Sequence, residues 1–163
     1  MSQTRRVRVL FVCMGNICRS PMGQGVFERF VEQAGLQERI AVDSAGTHAY
    51  HVGEPPDERA QQAAAARGYT LHEQRARQVT VEDLRSADYV LAMDRDNLAV
   101  LQELCPPELQ GRIRLVTEFS ELYPGRDVPD PYYGGTRGFE RVLDMIEDAA
   151  QGLLQAIRRR HRL

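Results

Sequence analysis

The chain has 163 residues, 42% hydrophobic and 27% charged, and carries a formal net charge of −2. That is ordinary composition for a globular protein long enough to bury a core, and so near-neutral a balance gives no global attraction to nucleic acid or to an anionic membrane surface. All 21 basic residues are arginine, so a single arginine is a weak functional clue.

No apolar run reaches the length of a membrane span, and the start, MSQTRRVRVLFVC, lacks the pattern of a signal peptide. Three cysteines do not make a disulfide framework, and the odd number leaves a free thiol. A reducing cytoplasm is the expected setting, and one domain over residues 1–163 the expected organisation.

Residues 6–12, RVRVLFV, are short, apolar and bounded by charge and glycine, which predicts a buried strand. Ser20 and Pro21 read as the cap and first position of a helix. Met22, Val26, Phe30 and Ala34 then share one face at helical spacing, and Gly35 ends it. A second strand is expected over 39–46 and a helix over 57–68 that stops at Gly68. Thr80 and Asp83 form a capping box for a helix over 80–87.

A third strand follows at 88–94, a helix at 95–105, and a fourth strand at 112–119. After a loop rich in proline and glycine, residues 138–160 form a long amphipathic helix with cationic residues at its C-terminal end. Short apolar strands alternating with helices predict an α/β fold: a three-layer sandwich with a four-stranded parallel sheet, helices on both faces and right-handed crossovers. Ligands of such folds bind outside the carboxyl ends of the strands, and Cys13 opens the loop after the first.

Cys13 and Cys18 are too far apart for a zinc knuckle, and no second Cys/His pair follows. His48, His51, His72 and His161 are scattered without ligand spacing, so no metal and no cofactor is expected. A nucleotide phosphate loop is excluded as well, because the motif needs a lysine and the chain has none. An anion pocket fits better. A loop from strand to helix turns backbone N–H groups inward, the helix start adds its positive end, and such donors stabilise a thiolate. Arg19 at the far end of the loop can grip two oxygens of a tetrahedral dianion. Phosphate would then sit over a nucleophilic sulfur, as phosphoryl transfer through a cysteinyl-phosphate requires.

Cys-x5-Arg alone is common in unrelated chains; its setting between strand and helix, with Gly15 and Asn16 in the turn, raises its meaning. The leaving oxygen needs an acid, for which Asp130, held between Pro129 and Pro131, is the candidate. Read alone, an aspartate before a proline is more often a turn residue.

VLFVCMGNICRSPMG at 9–23 together with DPYYGG at 130–135 resembles the low-molecular-weight protein tyrosine phosphatase family. DSAGT, ARQV and ADYVLAMDRDN lie in the family's order too, so the resemblance covers nearly the whole chain. It implies that Cys13 is the nucleophile, Arg19 the phosphate ligand and Asp130 the general acid and then base. Ser20 would donate to the Cys13 sulfur, Asn16 would brace the loop with Ser44, and Asp94 would orient Arg19 or the loop. Tyr50, Tyr132 and Tyr133 would rim a slot for phosphotyrosine, and Met14 and Ile17 would add apolar wall beside Gly15 and Cys18.

The implied partners are phosphotyrosine-containing proteins and phosphate-like anions, with no nucleic acid and no membrane, for a monomer or weak dimer. The family often has a histidine where Gln74 stands, supporting the loop asparagine; a network retained through glutamine is expected. Arsenate reductases of the same fold need two further cysteines, and only Cys105 is present. A binding module without catalysis is disfavoured because every catalytic residue type is there. Cys18 is expected to pair reversibly with Cys13 and shield it from over-oxidation.

Overall fold

The computed structural model describes residues 5–133 and 135–163, without the side chains of Tyr133 and Thr136. Four strands, β1 (Val7–Cys13), β2 (Ile40–Gly46), β3 (Tyr89–Ala92) and β4 (Ile113–Leu115), form one parallel sheet in the order β2-β1-β3-β4. The helices are α1 (Arg19–Gln33), α2 (Glu58–Ala66), α3 (Val81–Ser86), α4 (Arg95–Leu104) and α5 (Thr136–His161). The expected α/β sandwich with helices on both faces is the observed one.

Strand periodicity splits β1 between two cores. Val9, Phe11 and Cys13 join the larger core with Phe27 and Met22 of α1 and Phe139, Ile146 and Leu153 of α5. Leu10 and Val12 face the other way, into a core with Leu84 of α3 and Leu101 of α4. Each fully buried Leu or Phe is worth about 1.5–3 kcal/mol of transfer free energy; Phe11 and Phe27 add an edge-to-face contact at 5.8 Å. The chain passes from β1 to β2 on one side and to β3 on the other. That reversal opens a crevice at the carboxyl ends of β1 and β3, where Cys13 and Asp94 lie.

Several boundaries differ from expectation. The first helix begins at Arg19, with Cys18 at its cap and no side-chain cap bond. Pro21 is tolerated at the third helical position because that N–H has no intrahelical partner. The fourth strand stops at Leu115, and Val116–Phe119 coil into a 3-10 turn with Val116 and Thr117 buried. Thr117 Oγ1 donates to the Arg126 carbonyl at 2.5 Å, which folds the following loop back on itself. Thr80 and Asp83 do form the expected capping box.

The 3-10 turn lies so close to α5 that any side chain at Gly152 would collide with the Phe119 carbonyl. Gly152→Val is therefore expected to destabilise the fold by about 1–3 kcal/mol, read as a drop of several degrees in Tm. An unchanged melt would refute the close approach.

Candidate active site

Between Cys13 and Arg19 the backbone loops round a pocket, and neighbouring segments hold its carbonyls. Thr47 N donates to Cys13 O at 2.9 Å, His48 N to Met14 O at 3.0 Å and Asp57 N to Ile17 O at 2.8 Å. Asn16 takes the left-handed conformation, φ 57°, which asparagine accepts more readily than most residues. Among the described residues, the amides of Met14 through Cys18 donate to no protein acceptor. A run of unpaired N–H groups leading into a helix start is an anion cradle.

Because α1 starts at Arg19, Ser20 lies inside its first turn and does not cap it. Its hydroxyl is 3.0 Å from Cys13 Sγ. Asn16 Nδ2 donates to Ser20 Oγ at 2.9 Å and to Ser44 Oγ at 3.0 Å, and Asn16 Oδ1 accepts from Arg77 N at 3.0 Å. All of the amide's strongest positions are used, so the buried Asn16 is satisfied. Gln74 is in the network, but through Ser44: Ser44 Oγ donates to Gln74 Oε1 at 3.3 Å, and Gln74 Nε2 donates to Pro21 O at 3.0 Å.

Arg19 is buried, only 3% exposed along its side chain. Nη1 donates to Asp94 Oδ2 at 2.5 Å and to the Val128 carbonyl at 2.9 Å. Nη2 stands 3.7 Å from Asp130 Oδ2. Burial works against the guanidinium charge, but Cys13, Asp94 and Asp130 more than offset it and raise the pKa of Arg19. Asp94 does two jobs, because its other oxygen accepts from Asn97 N at 2.8 Å and caps α4. Asp130 accepts from Tyr132 N at 3.0 Å, an Asx turn that presents the remaining oxygen to the pocket side.

The pocket holds about 260 Å³ and is lined by Cys13, Met14, Gly15, Ile17, Cys18, Arg19, Tyr50, Asp130 and Tyr132, with His51 besides. His51 has no metal-ligand spacing in the sequence, although it adjoins Tyr50. Its ring packs beside Gly15, lies 6.4 Å from the Tyr132 ring, and is held by Glu54 Oε2 at 2.7 Å from Nδ1. Tyr50 is 70% exposed and stacks on His48 at 5.2 Å. Tyr133, expected at the rim, has its side chain outside the described residues.

A larger cavity, about 460 Å³, lies behind the loop among Glu28, Asp43 and Glu73, so size does not single out the site; the thiol and the cradle do. Among the described residues no cluster of three or more His, Cys, Asp or Glu is placed to hold a metal. Burial, with Asp57 and Cys13 nearby, pushes the Cys18 thiol far above its usual value. Cys105 caps the end of α4 within the opposite core, on the far side of the sheet from Cys13.

Residues 8–163 match the family model for low molecular weight phosphotyrosine protein phosphatase. The chain belongs to that family. A low molecular weight protein-tyrosine-phosphatase of Streptomyces coelicolor is 46% identical over 93% of each chain. Among solved structures, a protein tyrosine phosphatase of Entamoeba histolytica with Hepes in its active site superposes with a TM-score of 0.90. It is 38% identical and covers 96% of this chain and 99% of its own. YfkJ of Bacillus subtilis superposes at 0.91 with 36% identity, covering 98% and 99%. This phosphatase is therefore a hydrolase that works through a cysteinyl-phosphate intermediate with an aspartate as acid and base.

The two tasks of Asp94 separate by substitution. Asp94→Asn keeps a good helix cap but loses the charge opposite Arg19; kcat for p-nitrophenyl phosphate should fall on the order of tenfold. Asp94→Ala should lose the same activity and in addition about 1 kcal/mol of stability from the cap. Steady-state kinetics with parallel thermal melts check both.

Proposed function

We propose that Cys13, Arg19 and Asp130 carry out the phosphatase reaction and that the protein acts on phosphotyrosine in other proteins and on small aryl phosphates. One observation carries the assignment. A sulfur in hydrogen-bond range of Ser20, a buried guanidinium and a carboxyl converge on one small cavity at the end of β1. The Cys13 thiolate attacks phosphorus, forming the S–P bond as the P–O bond to the phenol breaks. Arg19 and the loop amides hold the equatorial oxygens, where charge is greatest in the transition state. Asp130 gives its proton to the departing phenolic oxygen.

In the second step Asp130 takes a proton from water, which attacks phosphorus and releases Cys13 as a thiolate. A thiolate can only accept, so the Ser20 hydroxyl donates to the Cys13 sulfur and eases its departure. Tyr50, Tyr132, Met14 and Ile17 give walls on which a phenyl ring can lie. A phosphoserine side chain is too short to reach the same cradle. Asn16, Ser44 and Asp94 support the loop and Arg19.

The protein acts in the cytoplasm as a single domain over 1–163, a monomer or weak dimer, without nucleic acid or membrane. No helix among the described residues is long and apolar enough to cross a bilayer. Cys18 serves as the resolving thiol: peroxide converts Cys13 to a sulfenic acid, Cys18 attacks that sulfur, and water leaves as the disulfide forms. Mass spectrometry after brief peroxide exposure should find a Cys13–Cys18 link; an unpaired sulfinic Cys13 would count against it. Arsenate reduction by an intramolecular relay is disfavoured by the place of Cys105 across the sheet.

Cys13→Ser should abolish turnover while retaining phosphotyrosine proteins from a lysate as a trap. If Cys13→Ala left hydrolysis unchanged, the nucleophile would be wrong. Asp130→Asn should lower kcat/KM for a phosphotyrosine peptide by about 10²–10⁴, and much less for dinitrophenyl phosphate, whose leaving group needs no proton.

A further inference from the structure

The loop that carries Asp130 is tied to the rest of the molecule at the start of α2. Asp57, the N-cap of α2, gives its amide to the Ile17 carbonyl of the phosphate loop at 2.8 Å. Its carboxylate accepts from Arg59 three times, from the amide at 2.8 Å, Nε at 3.1 Å and Nη2 at 3.0 Å. Burial raises the Asp57 carboxyl and the bonds from Arg59 bring it back below the ordinary aspartate value, so the pair stays ionised. The guanidinium held in this way reaches across to the acid loop. Nη2 donates to the Tyr132 carbonyl at 3.1 Å, and the group lies 5.4 Å from the Tyr132 ring centre and 5.1 Å from that of Phe139 in α5. Tyr132 in turn donates its amide to Asp130 Oδ1.

We propose that Arg59 is the positioning residue for the general acid, fixing the Asp130 carboxyl over the phosphate loop through Tyr132. This rests on the assignment of Asp130 as the acid. The path is short: Ile17, Asp57, Arg59, Tyr132, Asp130. Both of its ends line the same pocket, so movement anywhere along it changes the distance from carboxyl to leaving oxygen. Arginine suits the task because its planar fork can pair with a carboxylate and a carbonyl together while its face lies against the aromatic rings. A lysine would offer one point charge and no plane. Arg59 touches no reacting atom, and its pairs at the surface contribute little to stability. Its effect is on geometry, where a displacement of about 1 Å can cost up to a hundredfold in rate.

The test compares leaving groups. kcat/KM reports the reaction up to departure of the phenol, the step that uses the acid. Arg59→Ala should lower kcat/KM for phenyl phosphate about tenfold and leave dinitrophenyl phosphate within about twofold, since dinitrophenolate departs unprotonated. In an Asp130→Asn background the same substitution should have no further effect on phenyl phosphate, because no acid remains to be positioned. If Arg59→Ala does not give folded protein, Arg59→Lys serves, since it cannot hold carboxylate and carbonyl together, and the same split is expected. Equal losses on both substrates, no loss on either, or an additive loss in the double variant would overturn the proposal. Absence of a leaving-group split in Asp130→Asn alone would instead overturn the assignment of the acid.

Discussion

The placement of the Arg19 guanidinium is the constraint on which the rest of the site depends. A charge this deeply buried costs several kcal/mol unless its donors are met, and Arg19 has them met by elements far apart in the chain. Asp94 stands at the end of β3 and Val128 on the loop returning from β4. One side chain therefore ties the phosphate loop to the opposite wall of the crevice. The same contacts leave Nη2 facing Asp130 and the pocket, the nitrogen that a phosphate oxygen can claim.

Behind the cradle lies a polar layer that a hydrophobic core would not supply. Asn16, Ser20, Ser44 and Gln74 satisfy one another and reach Arg77 N and Pro21 O at either end. Buried polar groups are expensive when half satisfied and specifying when complete. Here they hold a left-handed residue and a run of unpaired amides in one arrangement before any anion arrives. Pre-organisation of that kind is how an oxyanion-type site lowers a barrier without reorganising during the reaction.

The mouth is built differently. Tyr50 is mostly exposed, and Tyr132 is 39% exposed. Asp130 sits just ahead of a 3-10 turn at Pro131–Tyr133 and not on a strand or long helix. The floor is thus rigid through buried bonds, whereas Asp130 depends on contacts made near the surface, those of Arg59 among them. This division suits the chemistry: phosphorus and its oxygens are the same in every substrate, while the surroundings of a phosphotyrosine vary from protein to protein.

Much of the molecule was legible in the linear chain. The short apolar run of 6–12, the helical spacing from Met22 onward, and the cysteine and arginine six apart pointed to the strand, the helix and the loop between them, because each is set by neighbours a few residues away. The first helix starts two residues before the expected position, with Cys18 and not Ser20 at its cap; Ser20 is a common cap residue, and only its hydrogen bond to Cys13 shows that it is used elsewhere. The fourth strand is shorter than its apolar run because Val116 and Phe119 pack in the core with α5 and not in the sheet. For Asp94 the resemblance left Arg19 or the loop as its partner, and the fold pairs it with Arg19 across 75 residues; what the tertiary structure alone decided are Val128 with Arg19 across 109 residues, Arg77 with Asn16, His51 at the mouth, and Arg59 beneath Tyr132. Local periodicity carries no information about which side of β1 the chain takes next. That reversal of strand order brings the separate ends together, and with them Asp130 to Cys13.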